Sequence, residues 1–390
     1  MLSGTGEDPV DGPPGSSGLT AGGSRGKAPM TSGYHRWCTV DHYWLFGGVV
    51  VTIAPTVASV AGTIPETHYS HHGGRGHTPM RSNPLVIHRE LTLLDVHPAQ
   101  RVCEIGTGSG YSGALLSSLV GEDGRVVSVD IDPYLVQWAR CAHHERGVRN
   151  VRCVVGDGRQ GFAAEAPYDR LVAWCTPPHL PKAWVDQSQV GGVIVTPLPV
   201  ARVPQVTVVA EILVDEERTP RVQRVLHGGY METVSSPCDP DTPTRLVDWE
   251  YRLPSAAWIS VGWRKEDNEL RDGARGALDR LLARSSIRET VGEEDIDWGS
   301  WRTWAAATDD HYLTAVGWPS GGIAVGHSTP ESIAVLRHDG TILADRRASP
   351  SLRIVRDWFR AWDRAGRPAV EEYEGTLHPQ QEGWRLRLSR

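Results

Sequence analysis

The residues with the clearest chemical potential form a glycine-rich turn directly after a short apolar run. The turn reads Glu104-Ile105-Gly106-Thr107-Gly108-Ser109-Gly110-Tyr111. Glycines at such a turn let the backbone approach a ligand where any Cβ atom would clash. Turns of this type bind nucleotide-like cofactors, but nicotinamide and flavin sites use related turns, and some matches are plain tight turns. The turn alone therefore predicts a cofactor site without choosing the cofactor.

Three acidic residues narrow the choice, because each lies at the end of a strand-like run. Glu104 precedes the glycines, where a carboxylate can reach a cationic amino acid moiety through water. Asp130, followed by Ile131, can accept hydrogen bonds from both ribose hydroxyls. Asp157 can accept from an adenine amino group, with Gly158 giving room. Together they favour S-adenosylmethionine, with a nicotinamide cofactor as the alternative; singly, each acid could be a helix cap.

Alternating strands and helices must position these residues. Strand-like runs occupy residues 101–105, 125–130, 151–157, 168–174 and 192–196, and helical patterns occupy 85–94, 112–119 and 133–147. This alternation predicts an α/β fold with a doubly wound, mostly parallel, Rossmann-like sheet. Right-handed crossovers would bring the carboxyl ends of the strands, and hence the turn and the acids, to one edge.

The 390 residues are enough for more than one domain. We predict a disordered segment at 1–30, an acceptor-side segment at 31–81, a cofactor-binding domain at 82–246 and a smaller α+β domain at 247–390. In the last, helices are expected at 273–284 and 351–365, and a hairpin with an Asp-Gly turn at 333–343. Most of the 15 tryptophans follow Trp249, so this domain is expected to recognise the substrate.

Composition bounds partners and location. A net charge of −7 disfavours a nucleic-acid binder, and six cysteines without a pairing rhythm suit a cytoplasmic protein. Residues 44–64 carry no charged side chain and are long enough to span a bilayer, but glycines and a proline dilute them, so a buried segment is favoured over a membrane role.

Four histidines, His68, His71, His72 and His77, suggest a metal site at first sight. They lie among glycines without an acidic or cysteine partner at a recognisable spacing. We therefore expect no metal and predict instead a flexible or substrate-facing loop.

Two motifs resemble the protein-L-isoaspartate O-methyltransferase family. The run from Val102 to Tyr111 resembles its Val-Leu-Glu-Ile-Gly-Thr-Gly-Ser-Gly-Tyr signature, and Ala166-Pro167-Tyr168-Asp169-Arg170 matches its Ala-Pro-Tyr-Asp-Arg. Residues from about 75 to 235 are covered. Ser82-Asn83-Pro84 lies where the family has Ser-x-Pro, whose serine touches the substrate carboxylate. The resemblance implies that Ser82 is the catalytic contact, with Asn83 and His77 on the acceptor side; the alternative is that Ser82 only caps a helix.

The chain also departs from that family. A small, Ala-rich stretch is replaced by residues 174–181, in which Trp174 and Thr176 are candidate acceptor contacts, although Trp174 could simply pack on the sheet. The N-terminal helices expected before Ser82 are not recognisable, and the tail after Val247 is additional. This layout is similar to relatives associated with ribosomally made modified peptides (lanthipeptides, lasso peptides, graspetides), which methylate an aspartate and drive it to aspartimide.

The chemistry needs no catalytic base. A carboxylate with a reference pKa of about 3.9 is already ionised at neutral pH. Transfer of a methyl group from a sulfonium is an in-line displacement, to which the protein contributes alignment and exclusion of water. The leading hypothesis is a carboxyl O-methyltransferase that esterifies an aspartate of a modified peptide. The alternatives are repair of isoaspartate in damaged proteins, a small-molecule or RNA acceptor, and a non-catalytic scaffold. The oligomeric state is not predicted.

Overall fold

The computed structural model describes residues 39–40, 43–46, 49–71, 82–234, 246–251, 257–264, 269–283, 286–291, 296–318 and 322–390. The predicted disordered segment 1–30, His72 and His77 lie outside these residues. All the described residues belong to one compact unit, 35–390.

The first elements replace the single apolar segment expected at residues 44–64. They are β1 (Thr39–Val40), β2 (Tyr43–Phe46) and β3 (Val49–Thr52), which form an antiparallel sheet, and helices α1 (Pro55–Thr63) and α2 (Glu66–Ser70). Two helices thus precede Ser82, although their pattern was not recognised in the sequence. No helix in the described part of the chain is long and apolar enough to cross a membrane.

The central elements alternate as expected. They are α3 (Pro84–Leu94), β4 (Arg101–Ile105), α4 (Tyr111–Val120), β5 (Arg125–Asp130), α5 (Pro133–Glu145), β6 (Val151–Val155), β7 (Tyr168–Ala173), β8 (Leu180–Pro181), α6 (Lys182–Gln187), β9 (Ser188–Pro199), β10 (Thr207–Val214) and β11 (Pro220–His227). The seven-stranded sheet has the order β11-β10-β9-β7-β4-β5-β6. Strands β4, β5, β6, β7 and β9 run parallel, and β10 is antiparallel to both its neighbours.

The order and directions of these strands are those of a doubly wound, Rossmann-like fold, and the predicted mostly parallel sheet is confirmed. Strands β4, β5 and β7 are buried along nearly their whole length because both faces of the sheet are covered. On one face, Leu91 of α3 and Leu115 of α4 are fully buried against the sheet. On the other, Trp184 of α6 is fully buried. The sequence predicted β9 only in part and did not predict β10 and β11.

The C-terminal part adds a second seven-stranded sheet, which is antiparallel. Its elements are β12 (Trp249–Glu250), β13 (Trp258–Val261), α7 (Glu269–Leu282), β14 (Ile287–Thr290), α8 (Trp298–Ala307), β15 (Leu313–Gly317), β16 (Ile323–Thr329), β17 (Ser332–Arg337), β18 (Thr341–Ala344), α9 (Pro350–Arg364), β19 (Glu374–Gln380) and β20 (Gly383–Ser389). The sheet has the order β12-β13-β15-β16-β17-β18-β14. The predicted α+β composition is confirmed, including the hairpin, in which Gly340 has a φ of 74°.

The last hairpin returns to the central sheet. Strand β20 pairs with β8, with Gly383 opposite Pro181 and Trp384 opposite Leu180. A single apolar core runs from Cys103 of β4 to Trp362 of α9. The C-terminal part is therefore packed onto the cofactor-side fold through a shared core and does not form a separate lobe.

Candidate functional site

The glycine turn joins β4 to α4 at the carboxyl edge of the sheet. Gly106, Gly108 and Gly110 have φ values of 92°, 52° and 87°, in the left-handed region that favours glycine. A Cβ atom on Gly110 would lie 2.8 Å from the Cβ of Ala139, so helix α5 also requires a glycine there. Thr107 and Ser109 are buried, and the Thr107 hydroxyl is 2.7 Å from the Ser128 hydroxyl.

Asp130 lies at the end of β5 and supports this turn. Its Oδ2 accepts from the backbone N–H of Gly108 at 3.1 Å, and its Oδ1 accepts from the N–H of Asp132 at 3.0 Å. Burial raises the pKa of Asp130, and these backbone donors oppose the rise. Ile131, next along the chain, is half-buried. The Asp130 carboxylate thus holds the backbone of the turn, at the sheet edge where we expect the ribose to bind.

Glu104 lies fully buried beneath the turn. Its Oε1 accepts from the Ser112 hydroxyl and from the indole N–H of Trp174 at 2.9 Å. Its Oε2 has no hydrogen-bond partner within the described residues. A Cβ atom on Gly113 would lie 3.2 Å from that oxygen, so the glycine keeps the space beside it open. Burial raises the pKa of Glu104. A half-satisfied buried carboxylate suits a cationic group nearby.

His143 of α5 is a site residue that the sequence analysis missed. It is buried, and neither ring nitrogen has a hydrogen-bond partner in the described ranges. Its Nε2 lies 3.3 Å from the position of a Cβ atom on Gly113. Burial, and secondarily His68, lowers the pKa of His143 to about 4, so the ring is neutral at neutral pH. The only signal in the sequence that His143 faces the site is its position four residues after Ala139, on the same buried face of α5.

Asp157 and Gly158 differ from their predicted arrangement. Both carboxylate oxygens of Asp157 accept hydrogen bonds from the Arg159 guanidinium. The distances are 2.9 Å from Nε to Oδ1 and 2.7 Å from Nη2 to Oδ2. Asp157 also caps the short 3-10 turn that follows. A Cβ atom on Gly158 would lie 2.5 Å from Cγ2 of Ile105. Ile105 therefore also requires a glycine at position 158, and the role of Gly158 beside a ligand stays a prediction.

The start of α3 settles one alternative for Ser82. The helix is capped by Asn83, whose Oδ1 accepts from the Leu85 N–H at 3.0 Å. The interpretation of Ser82 as the cap is wrong, because the helix begins one residue later. Ser82 is half-buried just before the cap. Asn83 is also predicted to bind substrate, but its side-chain oxygen is already used to cap the helix.

Tyr111 connects the turn to α3. Its hydroxyl lies 2.9 Å from Nε2 of His88, and its side chain is buried. Burial raises the pKa of Tyr111 to about 12 and lowers the pKa of His88. Both groups are neutral at neutral pH, so their hydrogen bond fixes the helix that follows Ser82 against the cofactor side.

Trp174 and Thr176 follow β7. The indole N–H of Trp174 is engaged by Glu104, and its side chain is buried, which favours the packing alternative. The Thr176 hydroxyl donates to the carbonyl of Tyr230 at 2.9 Å, and its N–H donates to the carbonyl of Met231 at 2.7 Å. The prediction that both side chains contact the acceptor is not tested, but their hydrogen-bond donors are committed within the protein.

The two described histidines of the predicted loop lie on or beside a helix. His68 is in α2, with Nε2 3.3 Å from the Ala142 carbonyl, and His71 follows the helix directly. The expectation of a flexible loop is wrong for these two, because α2 packs on α4 and α5. Across the described ranges, no group of three or more histidine, cysteine, aspartate or glutamate side chains could hold a metal ion.

Comparison with known proteins agrees with the motifs. Residues 69–230 match the family model described as protein-L-isoaspartate(D-aspartate) O-methyltransferase. The chain is similar to that family over these residues. The match contains Ser82, the glycine turn and all three acids. It ends at Tyr230, before the antiparallel sheet of the C-terminal part.

Curated relatives of the family match the same region. The protein-L-isoaspartate O-methyltransferase of Methanopyrus kandleri is 36% identical over 157 residues, which are 40% of this chain and 66% of that protein. The one from Methanococcus maripaludis strain C6 is 41% identical over 105 residues, or 27% of this chain and 50% of that protein. The chain thus spans between half and two thirds of the length of these relatives.

Solved structures of the family are more distant. A protein-L-isoaspartate O-methyltransferase aligns at 16% identity and a TM-score of 0.44, covering 86% of this chain and 95% of that one. A putative enzyme of the family from Plasmodium falciparum, solved with S-adenosyl-L-homocysteine, aligns at 15% identity and a TM-score of 0.40, covering 47% of this chain and 92% of that one.

Proposed function

We propose that this chain is an S-adenosylmethionine-dependent O-methyltransferase that esterifies the side-chain carboxylate of isoaspartyl residues in proteins or peptides. The observation that carries the proposal is the buried Glu104 carboxylate beneath the glycine turn. One oxygen is fixed by Trp174 and Ser112, and the other has no partner in the part of the chain that the structure describes. This pair of environments suits a cofactor with a cationic amino acid end.

The residues that would hold the cofactor are those of the turn and the three strand ends. S-adenosylmethionine supplies an electrophilic methyl group on a sulfonium centre. When the cofactor is bound, Glu104 would stabilise its ammonium group, Asp130 would accept from its ribose hydroxyls, and Asp157, oriented by Arg159, would accept from its adenine. Gly106 to Gly110 keep the backbone close to the ligand.

The chain's own residues have little proton transfer to perform. The acceptor carboxylate is ionised at neutral pH, so no side chain needs to act as a base. Ser82 donates a hydrogen bond that orients the attacking oxygen. The hydrogen bond between the buried Tyr111 and the half-buried His88 holds in place the helix that follows Ser82. Catalysis then depends on aligning the acceptor oxygen with the methyl group and on excluding water. Well-aligned reactants reach large effective molarities.

Isoaspartate is the acceptor that the relatives' shared name implies. A second candidate is an ordinary aspartate of a ribosomally made, modified peptide, which would give an ester that can close to aspartimide. One observation favours it: the added C-terminal sheet shares the core of the fold, and β20 pairs with β8 in the loop after β7. Additional structure next to this edge suits a larger or more constrained substrate than a repair enzyme needs.

The test is a methyl-transfer assay with three acceptors: an isoaspartyl peptide, the same peptide with aspartate, and a macrocyclic peptide with aspartate in its ring. Release of S-adenosylhomocysteine gives the rate, and mass spectrometry distinguishes ester from succinimide. Turnover of the isoaspartyl peptide alone supports repair, and turnover of the macrocycle alone supports peptide tailoring. Absence of turnover with all three, in a protein that binds the cofactor, refutes carboxyl methylation of peptides.

A matched variant identifies the site. Glu104→Gln keeps the size of the side chain and removes its charge. We expect cofactor affinity to fall at least about tenfold, because hydrogen bonds to charged groups are worth about 1.5–3 kcal/mol. Glu211→Gln, on β10 and paired with Arg224, is the control and should leave affinity unchanged.

A further inference from the structure

Two buried charged side chains and a half-buried tyrosine lie next to the candidate site without a part in the chemistry proposed above. Arg89 and Glu90 are consecutive residues of α3, with 5% and 1% of their surface exposed. The Arg89 guanidinium donates to Oε1 of Glu90, and the Tyr230 hydroxyl donates to Oε2. We call these residues the Arg89–Glu90–Tyr230 triad. Each carboxylate oxygen of Glu90 has one strong donor.

Stability is a poor explanation for the triad. Moving two charges out of water costs about as much as their attraction returns, and apolar residues of similar volume often serve as well or better. Directional bonds to both oxygens of a fixed carboxylate instead define where each partner lies. The partner that is far along the chain is Tyr230, 140 positions from Glu90.

The segment 228–234 around Tyr230 crosses the carboxyl edge of the sheet. Thr176, just after β7, accepts from the Thr233 N–H at 2.9 Å, in addition to its bonds to the carbonyls of Tyr230 and Met231. The Tyr230 ring packs against Trp174, with ring centroids 6.2 Å apart. Trp174 in turn binds Glu104. The segment therefore lies beside the residues that shape the cofactor site.

Met231 is the exposed residue of this anchored segment. Its side chain is 47% exposed, whereas Thr233 is buried and the Tyr230 hydroxyl reaches Glu90. A thioether on a flexible stem adapts to varied apolar surfaces. An exposed methionine between two anchored neighbours, at the edge where the acceptor must approach, is suited to contacting a peptide.

We propose that the Arg89–Glu90–Tyr230 triad is a positioning unit for the acceptor peptide. It holds segment 228–234 as one wall of the acceptor site, opposite the start of α3 at Ser82. Met231 contacts the residues that flank the methylated carboxylate and sets the preference for them. This inference rests on the proposed function, since a wall for a peptide matters only if a peptide binds.

The C-terminal part reaches the same wall. The Arg89 guanidinium donates to the carbonyl of His227 at 2.8 Å, and the His227 N–H donates to Oε1 of Glu371 at 3.1 Å. The ring of His227 lies 3.3 Å from the guanidinium of Arg302 on α8. Burial lowers the pKa of Arg302 to about 10. The end of β11, from which segment 228–234 departs, is thus held from both α3 and the C-terminal part.

The first test is Tyr230→Phe, which removes one hydroxyl and keeps the ring on Trp174. The KM for the acceptor peptide should rise about tenfold, while kcat and the Kd of the cofactor change less than about twofold. Backbone amides of 228–234 should exchange hydrogen faster. The control is Tyr373→Phe, which removes a buried hydroxyl that has no partner among the described residues. An unchanged KM and exchange rate in Tyr230→Phe, or equal effects in Tyr373→Phe, overturn the proposal.

A second variant separates position from stability. Arg89→Met, Glu90→Leu and Tyr230→Phe together remove the triad without leaving an unpaired buried charge. We expect a Tm close to that of the wild type and unchanged cofactor affinity, with the KM raised and segment 228–234 exchanging faster. A joint loss of Tm and cofactor affinity means that the triad is merely structural, which overturns the proposal.

The last comparison separates this inference from the proposed function. Met231→Ala should raise the KM for an isoaspartyl peptide with bulky apolar neighbours and leave unchanged the KM for one with glycine neighbours. Equal effects on both peptides overturn the role of Met231. If the wild type methylates no peptide, the proposed function fails; faster exchange in Tyr230→Phe then still supports the triad's hold on 228–234, and unchanged exchange overturns it.

Discussion

The hydrogen bond from Trp174 to Glu104 offers the sharpest test of the cofactor site. Trp174→Phe keeps a buried aromatic ring at the end of β7 and removes the indole N–H that lies 2.9 Å from Oε1. A hydrogen bond to a charged group contributes about 1.5–3 kcal/mol, and every 1.4 kcal/mol is about tenfold in an equilibrium constant. At neutral pH we therefore expect the Kd for S-adenosylmethionine to rise about tenfold or more.

The pH dependence gives this prediction a sign. Burial already raises the pKa of Glu104, and loss of a donor to the carboxylate raises it further. Cofactor affinity should increase as pH rises through this pKa, because the ammonium group needs the ionised carboxylate. Folding stability should instead decrease as pH rises. Because the pKa of Glu104 is higher in the folded protein than in the unfolded chain, its contribution to stability is present below the unfolded-state pKa and is lost as pH rises through the folded-state pKa. In Trp174→Phe, the pH midpoints of the affinity change and of the stability change should both move to higher pH.

Isothermal titration calorimetry with S-adenosylhomocysteine across pH 5–9 measures the midpoint, and urea unfolding measures stability. The control is Trp263→Phe, since the Trp263 indole is equally buried and donates to the neutral Ser328 hydroxyl at 3.0 Å. It should lower stability without moving the affinity midpoint. An affinity loss in Trp174→Phe that is uniform across pH, with an unmoved midpoint, refutes the coupling between Glu104 ionisation and cofactor binding.

Three further predictions concern the turn and its supports. Gly110→Ala forces an alanine into a φ of 87° and against Ala139, so urea unfolding should show a loss of about 1–3 kcal/mol. His143 has a depressed pKa of about 4, so acidification from its unfolded value destabilises the fold; His143→Phe should remove up to about 3 kcal/mol of that loss in unfolding followed between pH 7 and 4. Tyr111→Phe removes the bond to His88 and should cost about 0.5–1.5 kcal/mol of stability while raising the acceptor KM more than the cofactor Kd in steady-state assays.

Each of these has a clear contrary result. Full stability in Gly110→Ala would mean that the turn relaxes away from α5. An acid transition in His143→Phe identical to that of the wild type would assign the loss to other groups. A cofactor Kd that rises in Tyr111→Phe as much as the acceptor KM would place Tyr111 on the cofactor side alone.

The local features were predictable from the sequence, and for a physical reason. A glycine turn between a buried strand and a helix leaves its whole signal within ten residues, and Asp130 follows from the strand that it ends. The Asp-Gly hairpin at Gly340 is equally local. Such features depend on near neighbours, so their pattern is complete in one stretch of chain.

The partners were not predictable, because they lie far apart in sequence. Nothing near Trp174 indicates that its N–H binds Glu104, 70 positions away. Nothing near Gly158 in the sequence indicates that Ile105 lies against it, and only the fold shows this contact. Arg89 and Glu90 look like an ordinary charged pair of an exposed helix face until Tyr230 is brought over them.

The pairing of β20 with β8 has a consequence for synthesis of the protein. His179, in the loop after β7, contacts the carbonyl of Glu382, 203 positions later. At a translation rate of about 5–20 residues per second, this edge waits about 10–40 s for its last strand. During that interval the nascent chain exposes the unpaired edge of β8 and the apolar face over Trp184, which makes it a candidate substrate for chaperones. A ribosome-bound chain halted before Gly383 would hold every residue of the glycine turn and still lack the strand that closes the loop beside it.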